Sequence, residues 1–124
     1  MKKEKIILIL CVLAVVFAIG AVIYQRNLPG ALDDFAVCLK DKGVTFYGAF
    51  WCPHCQAQKA LFGNSAKKLP YVECSTPDSQ GQLKVCGDKK IVSYPTWEFA
   101  DGSRETGEVL LAKLSEKSGC VLPK

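Results

Sequence analysis

The sequence predicts an α/β domain that follows a single N-terminal membrane-spanning helix. The chain has 124 residues and begins with an uninterrupted apolar run at positions 6–23. Strand-like and helix-like segments alternate after that run, and a Cys-x-x-Cys motif lies where one predicted strand gives way to a helix. These three observations divide the chain into a basic start and anchor (1–24), a short stem (25–32), a folded domain (33–120) and a tail (121–124).

The N-terminal segment predicts a membrane anchor. As a helix, the run Ile6 to Ile23 spans about 27 Å, close to the ~30 Å of a hydrocarbon core. The run exceeds the ~7–15 apolar residues of an ordinary signal peptide, although the small residues Ala18 and Gly20 leave a long, cleaved signal peptide as the alternative. Lysines precede the run, so we expect a single-pass protein of the cytoplasmic (inner) membrane with its C-terminal domain in the periplasm or an equivalent lumen.

Composition agrees with export and does not indicate nucleic-acid binding. The formal net charge is +4, and the lysines are scattered along the chain instead of clustered. Seven cysteines in a chain of this length are typical of an oxidising compartment.

The first half of the domain predicts a helix, a buried strand and a second helix. An amphipathic helix is expected over 31–42, with Leu32, Phe35, Ala36 and Leu39 on one side and Gly43 ending it. The β-branched and aromatic run 44–51 predicts a strand. Pro53 suits the first position of the next helix, and Gly63 with Asn64 suits its end.

The second half predicts shorter elements. A polar connection is expected over 64–68, followed by a strand at 70–74 and a helical turn at 82–86. The sequence then predicts a strand at 96–100, a hairpin turn at Asp101–Gly102 and a strand at 103–106. The last helix carries Val109, Leu110, Leu111 and Leu114 and ends near Gly119.

The Cys52-Pro53-His54-Cys55 motif predicts redox chemistry. Cys52 takes the N-cap position, where unpaired backbone N–H groups and the helix dipole stabilise a thiolate over a thiol. Cys55 lies one turn further on and can resolve a mixed disulfide formed at Cys52. The imidazolium of His54, the single histidine in the chain, could add a second positive influence on the Cys52 sulfur; otherwise His54 is a solvent-facing helix residue.

Other interpretations of the cysteine pair are weaker. Covalent haem attachment requires histidine after the second cysteine, but residue 56 is glutamine. A zinc site would have to recruit Cys74 and Cys86, which lack the tight spacing usual for structural zinc. A purely structural disulfide is possible, but a two-residue spacer favours exchange. We therefore expect neither a metal nor an organic cofactor, with the Cys52–Cys55 disulfide as the redox group.

Two motifs in this order resemble the thioredoxin family over about 90 residues. They are Trp51 to Cys55 and Tyr94-Pro95-Thr96. The resemblance implies a central mixed β-sheet flanked by helices, with a cis proline at Pro95 that lies against the active-site disulfide and exposes the preceding backbone to substrate. Without the resemblance, Pro95 would be an ordinary trans proline at the start of a strand. The resemblance assigns the tuning of the site and the contact with substrate backbone to six residues: Trp51, Pro53, His54, Tyr94, Pro95 and Thr96.

A finer resemblance concerns the segments Phe46–Cys55, Leu69–Cys74 and Tyr94–Trp97. They look like the thioredoxin-like domain attached to bacterial and plant vitamin K epoxide reductase homologues. There the domain exchanges disulfides with a membrane-embedded, quinone-linked oxidase. This chain has one anchor in place of their four-helix membrane domain, which implies a separate membrane partner of the vitamin K epoxide reductase or DsbB type.

The resemblance also bears on the direction of electron flow. Many thioredoxins bury an aspartate six residues before the first active-site cysteine, and this chain has Phe46 there. That substitution weakens a reductase assignment and agrees with Cys-Pro-His-Cys, the motif of oxidising DsbA-like proteins. Glu73 or Glu98 could supply a carboxylate from elsewhere in the fold.

Four cysteines remain outside the motif and the anchor. The resemblance implies that Cys74 pairs with Cys86, either as a structural bridge worth roughly 3 kcal/mol or as a second redox pair that relays electrons to the partner. Cys38 and Cys120 are then left to each other by elimination; unpaired, they would be ordinary buried thiols.

The sequence thus predicts a protein thiol–disulfide oxidoreductase that oxidises exported substrate proteins and is reoxidised by a quinone-linked membrane oxidase. The first alternative is an extracytoplasmic thiol reductase, for apocytochromes or other exported cysteines. The second is a non-catalytic thioredoxin-fold binding module.

Overall fold

The computed structural model describes residues 1–124 and contains six helices and four strands. In chain order the elements are α1 (Lys2–Asn27), α2 (Asp33–Asp41), β1 (Thr45–Gly48), α3 (Pro53–Ala60), a 3₁₀ helix (Gly63–Lys68), β2 (Tyr71–Glu73), α4 (Lys84–Asp88), β3 (Thr96–Glu98), β4 (Arg104–Thr106) and α5 (Leu111–Ser118).

The four strands form one mixed sheet in the order β2-β1-β3-β4. Strand β1 runs parallel to β2 and antiparallel to β3, and β3 pairs antiparallel with β4. The parallel pair requires a long crossover, which α3 and the 3₁₀ helix provide. The predicted fold class, a mixed sheet flanked by helices behind an N-terminal apolar helix, is confirmed.

Side-chain alternation along β1 creates two cores. Phe46 belongs to a large cluster that includes Trp97 of β3 and both cysteines of the motif. Tyr47 faces the opposite side of the sheet and joins a small cluster with Cys74, Cys86 and Ile91. Helix α3, which carries the Cys-x-x-Cys motif, therefore packs on the side with the larger core.

Several predicted boundaries differ from the structure. Strand β1 ends at Gly48, because the chain then turns and the Cys52 backbone N–H donates to the Ala49 carbonyl oxygen at 3.0 Å. Positions 64–68 belong to a 3₁₀ helix instead of an irregular connection. Val109 and Leu110 precede α5, because the chain reaches the helix through Gly107 at a φ of 81°.

The apolar N-terminal helix extends further than the sequence predicted. α1 continues to Asn27 and has no buried residue, so positions 25–27 of the predicted stem are helical. By length and composition α1 could cross a membrane. Its last turn contacts the domain: Asn64 donates to the Gln25 carbonyl oxygen at 3.1 Å, and the Lys67 ammonium donates to that of Arg26 at 3.1 Å. These contacts reach carbonyl groups of the last helical turn, of which that of Gln25 also accepts from the Leu28 N–H at 3.3 Å.

Two disulfides brace the domain. Cys38 of α2 is joined to Cys120 after α5, closing a long loop with a sequence separation of 82 residues. Cys74 is joined to Cys86 of α4, with a separation of 12 residues. In the chain-entropy picture, loops of these lengths contribute about 4.5 and 3 kcal/mol to stability.

One buried glutamine ties α3 to the segment before α5. The Gln58 side chain is fully buried, and its amide donates to the Val109 carbonyl oxygen at 3.0 Å. The Val109 backbone N–H donates back to Gln58 Oε1 at 2.6 Å. A single side chain thereby satisfies both polar groups of a buried residue outside regular structure.

Replacing Gln58 should destabilise the domain far more than replacing its exposed neighbour Gln56. Gln58→Ala leaves the Val109 N–H and C=O buried without partners, and we expect a loss of about 2–4 kcal/mol in the free energy of unfolding. Gln56→Ala removes one exposed hydrogen bond, to the Phe50 carbonyl oxygen, and should cost less than about 1 kcal/mol. Urea unfolding of the detergent-solubilised chain, followed by tryptophan fluorescence, measures both. Equal urea midpoints for the two variants would contradict a stabilising role for the Gln58–Val109 hydrogen bonds.

Candidate active site at the start of helix α3

Cys52 occupies the N-cap position of α3, and Pro53 is the first helical residue. The Cys55 backbone N–H donates to Cys52 Sγ at 3.4 Å. The sulfur therefore faces the positive end of the helix. Cys52 is 5% exposed, so a narrow part of the residue reaches solvent.

Cys55 lies deeper and has a different environment. It is 1% exposed, and both motif cysteines are free thiols in this structure. Burial, followed by the hydrogen bond with Cys52, raises the pKa of the Cys55 thiol to about 12. The pair is thus asymmetric: Cys52 is placed to attack or be attacked by other molecules, and Cys55 is placed to react with Cys52.

The segment Tyr94-Pro95-Thr96 lies directly against Cys52. The Tyr94–Pro95 peptide bond is cis. The Cys52 thiol donates to the Tyr94 carbonyl oxygen at 3.7 Å, a contact within the range of sulfur hydrogen bonds. Thr96 is buried at the start of β3 and donates its hydroxyl to the Ser93 carbonyl oxygen at 2.8 Å. The structure therefore brings together the two motifs that the sequence analysis singled out.

Trp51 forms one wall beside the motif. About half of its side chain is exposed, and its ring packs edge-on against Tyr94 with centroids 6.1 Å apart. The indole N–H donates to Ser75 Oγ at 2.7 Å. Ser75, which the sequence analysis did not single out, thus fixes the orientation of the aromatic ring next to Cys52.

His54 has a partner that sequence reasoning missed. Its Nδ1 lies 2.7 Å from Glu108 Oε1, and both side chains are largely exposed. The carboxylate offsets the positive charge that a protonated His54 would present to Cys52. No local signal marks Glu108, because it is brought to the motif by the bond between Gln58 and its neighbour Val109.

The two glutamates considered as possible acids have different positions. Glu98, at the end of the inner strand β3, is paired with Arg104 and lies 3.6 Å from the Lys89 ammonium. Glu73 instead accepts a hydrogen bond from the Tyr71 hydroxyl at 2.8 Å, and Tyr71 packs beside Cys55 across Gly48. Phe46 is fully buried and stacks on Trp97.

The remaining cysteines do not join the site. Cys74 and Cys86 are both fully buried within their disulfide, so neither is free to complete the zinc site weighed above. No group of three or more histidine, cysteine, aspartate or glutamate side chains is arranged to hold a metal ion. The relay role of Cys74–Cys86 stays a prediction.

Comparisons with known proteins agree with this geometry. The family model described as Thioredoxin matches residues 33–117. The chain is 45% identical over 105 residues to the thiol-disulfide oxidoreductase LTO1 of Arabidopsis thaliana, which covers 77% of this chain and 27% of that protein. It is 31% identical over 75 residues to the mitochondrial thioredoxin O of Oryza sativa subsp. japonica, covering 59% of this chain and 43% of that protein. The chain therefore spans less than half the length of these relatives.

The two cysteines should differ sharply in alkylation. In a Cys11→Ala background, Cys55→Ala protein should react rapidly with iodoacetamide through Cys52 at about pH 7, and Cys52→Ala protein at least about 100-fold more slowly. Burial is the main cause of the raised Cys55 pKa and persists in the Cys52→Ala protein, so the rate of that protein should keep rising in the alkaline range without a plateau at about pH 9. Mass spectrometry of quenched samples gives both rates. Similar rates for the two variants at neutral pH would refute the asymmetry.

Proposed function

The chain belongs to the thioredoxin family, and we propose that it is a membrane-anchored thiol–disulfide oxidoreductase that introduces disulfides into exported proteins. The observation that carries this proposal is the position of Cys52. Its sulfur lies at the start of α3 and contacts the Tyr94 carbonyl oxygen, and the residue is 5% exposed, whereas Cys55 is 1% exposed.

The chemistry follows from this asymmetry. A substrate thiolate attacks Cys52 Sγ of the oxidised enzyme, the Cys52–Cys55 bond breaks, and Cys55 leaves with the electron pair and takes up a proton. A second substrate thiolate then attacks the substrate sulfur that is bonded to Cys52, and Cys52 leaves as a thiolate. The substrate leaves with one disulfide, and the enzyme retains two reduced sulfurs. The helix start stabilises the departing Cys52 thiolate, which favours oxidation of the substrate.

The Cys-Pro-His-Cys motif supports the oxidising direction, whereas the lack of a carboxylate at position 46 does not. Proline and histidine between the cysteines are typical of DsbA-like oxidants, and the helix start favours the reduced, ionised Cys52. The absence of a carboxylate at Phe46 loses its force as an argument, because Glu73 approaches the site from β2 through Tyr71. The name of the Arabidopsis relative supports the oxidoreductase class and is silent on direction.

The membrane partner is part of the same proposal. α1 is apolar and fully exposed, as expected of a helix surrounded by lipid, and its last turn is bonded to the 3₁₀ helix of the domain. Only positions 28–32 link it to α2. The dithiol is thereby held near the membrane surface, where a quinone-linked oxidase of the vitamin K epoxide reductase or DsbB type can reoxidise it. The domain would lie in the periplasm or an equivalent lumen.

The competing function is reduction of disulfides in exported proteins, which would keep their cysteines as thiols. One observation favours it: the Glu108 carboxylate lies 2.7 Å from His54 Nδ1 and would offset a positive charge on His54, which would otherwise make the motif more oxidising. The reduction potential of the pair separates the two directions.

We expect the Cys52–Cys55 pair to have a reduction potential between about −200 and −120 mV, in the range of protein oxidants. Equilibration of the Cys11→Ala chain with glutathione buffers, followed by alkylation and mass spectrometry, gives the value. The Cys52→Ala variant is the control, because it cannot form the disulfide. A potential near about −270 mV, as in thioredoxin, would replace oxidation by reduction.

The Cys55→Ala variant should accumulate mixed disulfides at Cys52 when expressed in its own membrane. Without the resolving thiol, intermediates with substrates and with the membrane oxidase persist. Affinity purification under non-reducing conditions and mass spectrometry identify them, and the Cys52→Ala/Cys55→Ala variant should yield none. The absence of adducts in both variants would favour the non-catalytic binding module.

A further inference from the structure

A tyrosine of β2 lies near the buried sulfur of the motif and is hydrogen-bonded to a glutamate of the same strand. Gly48 has no side chain, and a methyl group built there would lie 3.0 Å from Cys55 Sγ, 2.8 Å from a ring carbon of Tyr71 and 3.4 Å from the Tyr71 hydroxyl. The sulfur and the tyrosine therefore both border Gly48, where the missing side chain lets them approach each other. The hydroxyl in turn donates to Glu73 Oε2 at 2.8 Å.

Glu73 is held in place and still reaches water. Its Oε1 accepts hydrogen bonds from the Ser75 N–H at 2.9 Å and the Phe50 N–H at 3.2 Å, which leaves Oε2 for Tyr71. The residue is half-buried, so a proton on its carboxylate can exchange with solvent. Cys55, in contrast, is almost completely enclosed.

Thiol–disulfide exchange requires proton transfer at Cys55. Cys55 must lose its proton each time it attacks Cys52 and regain one each time it leaves. A buried thiol with a strongly raised pKa cannot ionise readily unless a nearby group accepts the proton. The inference rests on the proposed thiol–disulfide exchange, whichever direction it runs.

We propose that Tyr71 and Glu73 form the proton path of Cys55. As Cys55 Sγ attacks Cys52, its proton passes to the Tyr71 oxygen while the original Tyr71 proton passes to Glu73 Oε2. The products are the new sulfur–sulfur bond, a neutral Tyr71 and a protonated Glu73, which releases its proton to water. When Cys55 leaves during substrate oxidation, the same transfers run in reverse.

Tyr71 can relay a proton without becoming charged itself. Burial, and then its hydrogen bond to Glu73, raise the pKa of the Tyr71 hydroxyl, so the hydroxyl passes a proton on without ionising. The Lys59 ammonium lies over the ring, 3.4 Å from its centroid, and holds the ring in place. Lys59 cannot replace Tyr71 in this role, because an ammonium group has no free electron pair to accept a proton.

Two substitutions remove the path with little change in packing. Tyr71→Phe keeps the ring, its contact with Phe46 and the Lys59 interaction, and loses the hydroxyl. Glu73→Gln keeps an oxygen for the Ser75 and Phe50 N–H groups and loses the proton acceptor. Matched controls are Tyr47→Phe, on the opposite face of the sheet, and Glu98→Gln, whose carboxylate is paired with Arg104.

The test follows the two steps of oxidation of the full chain in detergent, in a Cys11→Ala background, by dithiobis(nitrobenzoate). Cys52 attacks the reagent and releases one thionitrobenzoate anion. Cys55 then attacks Cys52 and releases the second, so stopped-flow absorbance shows two phases. The reagent is reduced to two anions, and the enzyme dithiol becomes a disulfide.

We expect Tyr71→Phe and Glu73→Gln to slow the second phase about 10-fold to 100-fold at neutral pH, with the first phase within about 2-fold of wild type. The deficit should shrink as pH rises, because hydroxide then removes the Cys55 proton directly. The double variant should be no slower than either single variant, since both belong to one path. The two controls should match the wild type.

An unchanged second phase in both variants would overturn the proton path, as would an equal slowing of both phases, which indicates a displaced motif. Either result leaves the exchange chemistry intact, because the wild type still releases two equivalents. A wild-type chain that releases a single equivalent would overturn the exchange chemistry and the proton path together.

Discussion

The unequal burial of two sulfurs on one helical turn is the constraint on which the rest of the site depends. Cys52 lies at the start of α3 with a narrow exposed edge, and Cys55 is enclosed one turn further along. The first sulfur gains the helix dipole and contact with other molecules, and the second gains protection from them. Exchange then proceeds in order, because Cys52 meets the partner molecule and Cys55 reacts only with Cys52.

Holding this geometry requires contacts far from it in the sequence. Gln58 bonds the middle of α3 to Val109, and this contact brings Glu108 to His54. On the other side, Ser75 orients Trp51 from beyond β2. The Cys38–Cys120 disulfide ties together the two ends of the domain. The motif is thus a local sequence signal whose properties are set by contacts more than twenty residues away.

That separation explains what the sequence could and could not predict. The N-cap position of Cys52 follows from Pro53 and the helix formers after it, and it was predicted from those residues alone. The mixed sheet and the approach of Pro95 to Cys52 were predicted from the resemblance of two motifs to the thioredoxin family. Glu108 and Gln58 could not be found in this way, because nothing in a single helix or loop marks a long-range partner. The sequence gives a weaker indication of Tyr71. Tyr71 and Glu73 are two residues apart and share one face of a predicted strand, and pairing of that strand parallel to β1 brings this face next to Gly48.

Phe46 stands where many thioredoxins bury an aspartate, and the packing around it explains why an apolar ring suits this position. Phe46 stacks on Trp97 at 4.5 Å in the centre of the larger core, where an ionised carboxylate would require a buried partner. An apolar ring there strengthens packing and removes that cost. Tyr71 pairs in register with Phe46, and Glu73 pairs with Gly48 on the adjoining strand. Moving the carboxylate one strand outward leaves it half-buried and hydrated, and the intervening hydroxyl restores its connection to Cys55. The core thus stays apolar while the buried sulfur keeps a proton acceptor.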